Sequence, residues 1–122
     1  MAHAVPRRRV LFIEDEPALR SSYERAFASR YEAAYAATGA EAMRLLEEHR
    51  PDVAVLDLRL PDTDGIDLLR RLRARLPALR VIITSAYVSF EPQLRVLDLP
   101  HNGYLVKPFD LADLAQRIDA LG

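Results

Sequence analysis

The stretch Asp52-Val53-Ala54-Val55-Leu56-Asp57 constrains the fold of this chain more than any other. Four apolar residues in succession, two of them β-branched, suit a strand buried on both faces. In a chain of this size such strands belong to parallel sheets covered by helices. The run ends in a carboxylate, and an ionised group at the end of a buried strand needs a counter-charge or must be neutral. Two candidate answers exist. One is a metal ion shared with the acidic cluster Glu14-Asp15-Glu16; the other is Lys107, the one lysine in a chain whose other cations, histidines apart, are all arginine. An ammonium is a compact point charge and a guanidinium a planar fork, so a lone lysine marks a position where the difference matters.

Other apolar runs repeat the strand pattern. Val10-Leu11-Phe12-Ile13, Val81-Ile82-Ile83-Thr84-Ser85 and Tyr104-Leu105-Val106 predict strands, and Tyr31 to Ala36 predicts a weaker, alanine-rich one near a sheet edge. Helical patterns lie between them. Pro17 suits the first position of a helix whose N-terminus also favours the preceding acids, with Leu19, Tyr23, Ala26 and Phe27 on one face. Thr38 with Glu41 matches a capping box for a helix carrying Ala42, Leu45, Leu46 and His49 and stopping before Pro51. Leu58 to Gly65 reads as a polar loop. The helix after it has Ile66, Leu69, Leu72 and Leu76 on one face and Arg70, Arg71, Arg73 and Arg75 on a solvated one. A helix over roughly Phe90 to Asp98 has the poorest periodicity, and Pro100 cuts it short. Asp110 caps a final helix with Leu111, Leu114, Ala115 and Ile118 inward.

Five strands alternating with five helices predict an α/β fold with a doubly wound parallel sheet and right-handed crossovers. With 122 residues, half of them hydrophobic, the chain supports one domain and not two, expected to span 1–122 with Met1 to Arg8 as a flexible extension. Ligands in such sheets bind beyond the carboxyl ends of the strands. That rule gathers Glu14, Asp15, Asp57, Ser85 and Lys107 into one shallow pocket. Several classes of function drop out. The absence of cysteine removes thiol chemistry and fits a reducing cytoplasm, and a net charge of −1 gives no basis for direct nucleic-acid binding. No stretch has signal-peptide or bilayer length, so no membrane association is expected. None of the four glycines forms a Gly-x-Gly-x-x-Gly loop, and His3, His49 and His101 lack metal-ligand spacing and are expected at the surface.

Three carboxylates at one edge repel one another unless a hard cation sits among them, and a few oxygen ligands open to solvent suit Mg²⁺ that keeps several waters. An aspartate beside Mg²⁺ can act as nucleophile toward a phosphoryl group and form an acyl phosphate, while metal and ammonium neutralise the transferring oxygens. A hydroxyl such as that of Ser85 can then bind the attached phosphoryl group. Glu14 and Asp15 also serve the plainer purpose of negative charge at a helix N-terminus.

The runs Val-Leu-Phe-Ile-Glu14-Asp15-Glu16-Pro17, Val-Ala-Val-Leu-Asp57-Leu-Arg-Leu-Pro61-Asp-Thr-Asp64-Gly65, Val-Ile-Ile-Thr-Ser85-Ala86 and Tyr104-Leu-Val-Lys107-Pro108-Phe109 resemble, in order and interval, the receiver domain of two-component response regulators. The resemblance covers essentially the whole chain. It implies a flavodoxin-like (βα)5 sandwich of strand order 2-1-3-4-5, and a cytoplasmic signalling module that catalyses only its own phosphotransfer and dephosphorylation. It further implies Asp57 as phosphoacceptor from a sensor histidine kinase or histidine phosphotransfer protein, with Lys107 and Ser85 assisting. Mg²⁺ would be held by Glu14, Asp15, Asp57 and the backbone carbonyl of Arg59. Ser85 and Tyr104 would form a switch pair read out by the face of the fourth predicted helix, the fifth strand and the last helix, a face that can also form a homodimer.

Departures from the family pattern are specific. Glu14 stands where an aspartate is common, and its longer side chain is expected to reach the metal through water. Arg59 and Tyr87, two residues after Asp57 and Ser85, are large at positions that influence hydrolysis of the phosphate, and are expected to shield it. Leu99-Pro100-His101-Asn102-Gly103 replaces a small-residue segment before the fifth strand. Two rival functions remain. A phosphatase with an aspartyl nucleophile usually carries a second aspartate where this chain has Arg59; a receiver-like interaction module that works without phosphorylation typically loses acidic, acceptor or lysine positions that are all present here.

Overall fold

A computed structural model describes residues 7–87, 92 and 101–121. The elements run β1 (Arg9–Ile13), α1 (Pro17–Phe27), β2 (Glu32–Ala36), α2 (Gly39–His49), β3 (Val53–Asp57), α3 (Gly65–Arg75), β4 (Arg80–Ser85), β5 (Gly103–Val106) and α4 (Leu111–Ala120). All five strands are parallel, in the order β2-β1-β3-β4-β5. The predicted doubly wound sheet is therefore present, and the alanine-rich strand lies at its edge. The helix predicted over Phe90 to Asp98, Pro92 apart, and residues 1–6 of the predicted extension lie outside the described residues. The carbonyl of Arg8 accepts from Glu32 N at 2.9 Å, which ties that residue to the sheet margin.

Alternation along the strands divides the core in two. Val10, Phe12, Val53, Val55, Ile82 and Leu105 face α1 and α4, where they meet Tyr23, Phe27, Leu114 and Ile118. Leu11, Ile13, Ala54, Leu56, Val81 and Ile83 face α2 and α3, against Ala42, Leu46, Leu68, Leu69 and Leu72. The first half is rich in aromatics: Phe12 lies 4.8 Å from Tyr23, 5.4 Å from Phe27 and 5.5 Å from Tyr35, centroid to centroid.

The helix faces differ in detail from the sequence reading. In α1 the buried stripe passes through Tyr23 and Phe27, which leaves Ala26 exposed at its rim. In α3 the sheet takes Leu68, Leu69 and Leu72, a stripe turned so that Ile66 and Leu76 are half-buried at its margins. Arg73 is not on a solvated face. It is half-buried and donates to Leu79 O at 3.1 Å and to Asn102 Oδ1 at 3.3 Å, fastening α3 to the approach to β5. His49 is likewise half-buried between Glu32 O, 2.9 Å from Nε2, and the Arg9 side chain. The capping box at α2 is present, with Glu41 N donating to Thr38 Oγ1 at 3.1 Å and Glu41 Oε1 accepting from Ala37 N at 2.8 Å. Asp110 occupies the N-cap of α4, but its side chain makes no capping bond; its carbonyl accepts from Asp113 N and Leu114 N instead.

Candidate functional site

Parallel strands deliver their C-terminal ends to one edge, and the acids and the lysine collect there. Glu14 directly follows β1, with its N–H donated to Ala36 O at 2.9 Å. The Arg20 guanidinium, on the first turns of α1, donates to the carbonyls of Glu14 at 3.0 Å and Asp15 at 2.8 Å, so the loop between strand and helix is held from both sides. Asp57 ends β3. Lys107 follows β5 and leads into a cis peptide with Pro108.

Lys107 Nζ donates to Glu14 Oε1 at 2.8 Å and to Asp57 Oδ2 at 3.0 Å. The second oxygen of each acid receives a backbone N–H: Asp57 Oδ1 from Arg59 at 3.0 Å, and Glu14 Oε2 from Glu16 at 3.1 Å. Glu14 and Asp57 are buried, 1% and 4% exposed, while Asp15 is exposed. Burial pushes the Glu14 carboxyl up to about 7, with the Lys107 hydrogen bond opposing and the neighbouring Asp57 charge adding to the rise. Burial opposes the charge on Lys107, but its bonds to Glu14 and Asp57 outweigh that and raise its pKa above the ordinary lysine value.

Among the described residues Glu14, Asp15 and Asp57 form a group of acids whose ligand oxygens lie within 4.8 Å of one another. An all-oxygen donor set, with two members buried and one turned to solvent, fits a hard cation that retains part of its water shell. Mg²⁺ meets that description, and these three carboxylates are the residues able to hold it.

The remaining predicted site residues surround this centre. Ser85 is buried at the end of β4; its Oγ accepts from Tyr87 N at 3.0 Å and its carbonyl accepts from Lys107 N at 2.7 Å. The hydroxyl thus shapes the turn after β4. Arg59 Nη1 donates to Tyr87 Oη at 3.1 Å, with its guanidinium carbon 5.9 Å from the centre of the Tyr87 ring. Tyr104 Oη donates to Tyr87 O at 2.5 Å. Tyr87 therefore meets Arg59 through its side chain and Tyr104 through its backbone.

Two features of the site escape a reading of local pattern. Asp62, within what reads as a plain polar loop, accepts from Gly39 N at 2.7 Å and Ala40 N at 3.0 Å and so fastens the segment after Asp57 to the N-terminus of α2. Gly65 is required by close approach: its N–H donates to Leu58 O at 3.2 Å, and a Cβ there would fall 2.5 Å from that oxygen. Sequence signals nevertheless exist for both, an Asp in a turn and a Gly at a helix start.

Comparison with known proteins agrees with this geometry. Residues 10–119 match the family described as response regulator receiver domain. The transcriptional regulatory protein PrrA of Mycobacterium tuberculosis is 40% identical over 114 residues, covering 93% of this chain and 49% of PrrA. The chain thus spans about half the length of the curated relatives it matches. Among solved structures, a CheY-like receiver domain protein from Methanospirillum hungatei superposes with a TM-score of 0.84 at 28% identity, covering 92% of this chain and 90% of that one. Response regulator TrrA of Thermotoga maritima, crystallised in complex with Mg²⁺ and BeF, superposes at 0.82 over 94% of this chain and 99% of its own; at 24% identity it speaks to the fold alone.

Proposed function

This chain belongs to the response regulator receiver domain family, the signalling domains of two-component systems, and from that membership we propose that Asp57 is its phosphoacceptor. The observation that carries the reading is the Lys107 ammonium 3.0 Å from a buried Asp57 inside a cluster of acids able to share a cation. An Asp57 oxygen attacks the phosphorus of a phosphohistidine on a kinase or phosphotransfer protein, the P–N bond breaks, and the imidazole leaves with a proton. Water later attacks the same phosphorus, the Asp57 O–P bond breaks, and inorganic phosphate leaves with the protons of the water, restoring the carboxylate.

Lys107 covers one phosphoryl oxygen and steadies the others through its charge. Glu14 and Asp15, with Asp57 and the Arg59 carbonyl, would hold Mg²⁺, which would supply neutralisation of charge on the transferring oxygens. Ser85 exchanges its bond to Tyr87 N for one to the phosphoryl group. Because Tyr104 is tied to Tyr87 O, that exchange moves the backbone contact on which the Tyr104 hydroxyl rests, and the change passes to the face around β5 and α4. A groove of about 470 Å³ beside the site, lined by Leu19, Ser22, Lys107, Pro108 and Phe109 among others, gives a donor protein room to approach. Nothing in the acid and lysine set is missing, which disfavours the phosphorylation-independent interaction module.

Incubation with acetyl phosphate and Mg²⁺ followed by intact-mass measurement tests the proposal. A single phosphate adduct is expected in the wild type and none in Asp57→Asn. An unmodified wild type, or an adduct that survives the substitution, overturns it.

A further inference from the structure

Lys107 directly follows β5, yet its ammonium reaches Asp57 at the end of β3 and Glu14 just after β1. In the observed strand order β4 lies between, so the lysine stem must cross β4 to arrive. The β4 residue in register between the two is Thr84. On parallel strands, residues in register point to the same face; Thr84 is in register with Asp57 on one side and with Leu105, two residues before Lys107, on the other. The face is the α1 side of the sheet, because Ile82, Val55 and Leu105 share that core.

Thr84 is 1% exposed, and among the described residues its Oγ1 has no hydrogen-bond partner. A buried hydroxyl without a partner costs free energy that an isosteric valine would avoid. The Lys107 ammonium, bonded to the Asp57 that stands in register with Thr84, has three N–H donors, two of them used on Glu14 and Asp57.

We propose that Thr84 is a positioning residue for Lys107, its hydroxyl accepting an ammonium N–H when the lysine turns from Glu14 toward a phosphoryl group on Asp57. The proposal rests on Asp57 being the phosphoacceptor. Once a cation occupies Glu14, Lys107 would lose an acceptor, and the unpartnered Thr84 Oγ1, on the residue in register with Asp57, is a neutral one that could replace it. In this arrangement the hydroxyl limits how far the ammonium swings.

Because Lys107 is the single lysine of the chain, protein labelled with ¹³C-lysine reports on it without ambiguity. The experiment compares wild type, Thr84→Val and Thr84→Ser for the rate of Asp57 phosphorylation by acetyl phosphate, and for the Lys107 Cε signal with Mg²⁺ and beryllofluoride, which stands in for the phosphoryl group. Loss of one hydrogen bond to a charged group predicts a rate about tenfold slower in Thr84→Val, with a displaced Lys107 signal. Thr84→Ser restores both to near wild type, which a simple packing role would not. Should the valine variant fail to fold, Thr84→Ala is read in the same way. If wild type is phosphorylated but rate and Lys107 signal are unchanged by loss of the hydroxyl, the Thr84 assignment is overturned while the Asp57 reading stands. If wild type takes no phosphate at Asp57, that reading fails first and this one with it.

Discussion

Lys107 and Glu14 are 93 positions apart in sequence, yet their side chains meet at 2.8 Å, with Asp57 sharing the same ammonium. Removing the cation would leave two buried carboxylates facing each other. Lys107→Met, which keeps the stem, should lower stability by about 2–4 kcal/mol at pH 8. The loss should be smaller at pH 6, because Glu14, already raised to about 7, then takes up a proton. Lys107 itself stays charged throughout this range, since its pKa is raised. Urea unfolding at both pH values measures the difference; equal losses would contradict the arrangement.

If Glu14 helps hold Mg²⁺ as proposed, its raised pKa predicts a pH dependence for metal binding. A carboxyl whose folded pKa is raised binds its proton more tightly folded than unfolded. Its contribution to stability of the metal-free protein is complete below its ordinary value of 4.5 and is lost as pH rises through about 7. Metal binding requires the ionised form. Mg²⁺ affinity should therefore increase up to about tenfold per pH unit below pH 7 and flatten above it. Calorimetric titration at pH 6, 7 and 8 gives the profile, and Glu14→Gln should abolish the slope.

The Arg59–Tyr87 contact predicts a coupled effect on the lifetime of the phosphorylated form. Each of Arg59→Ala and Tyr87→Ala should shorten it by about twofold to tenfold, by opening the approach of water. Because the two side chains touch, the double variant should lose less than the product of the single effects. Decay of the phosphoprotein after donor removal, followed by intact mass, checks this, and unchanged lifetimes would remove the shielding role.

Two glycines should respond differently to the same change. Gly65→Ala drives a Cβ into the Leu58 backbone and should cost about 1–3 kcal/mol. Gly103→Ala meets nothing nearer than Arg117 Nη1 at 3.6 Å. Its effect should be neutral or stabilising by up to about 1 kcal/mol through the unfolded chain. Denaturant midpoints of the two variants decide the matter.

What could be read from the chain alone followed from how local the cause was. Runs such as Val10 to Ile13 and Val53 to Leu56 announce buried parallel strands because both faces are covered; the order of those strands in the sheet is not encoded in any one run, and comes from the resemblance to receiver domains. Lys107 was legible because it has no fellow lysine. Arg73 and His49 were misjudged because their partners, Asn102 and Glu32, lie 29 and 17 positions away and leave no periodic trace. The turn of α3 that buries Leu68 depends on what its neighbours leave open, which spacing within the helix does not encode. Thr84 looked like an ordinary strand residue until the strand order put it in register between Asp57 and Leu105.

The span between Glu14 and Lys107 has a consequence for biosynthesis. The two ends of this cluster leave the ribosome far apart in time, and no product that stops short of β5 holds both the acids and the ammonium. On the proposed reading, a nascent or truncated polypeptide ending before β5 lacks the ammonium and is expected to take up phosphate poorly, so the capacity to signal would arrive only with the last strand.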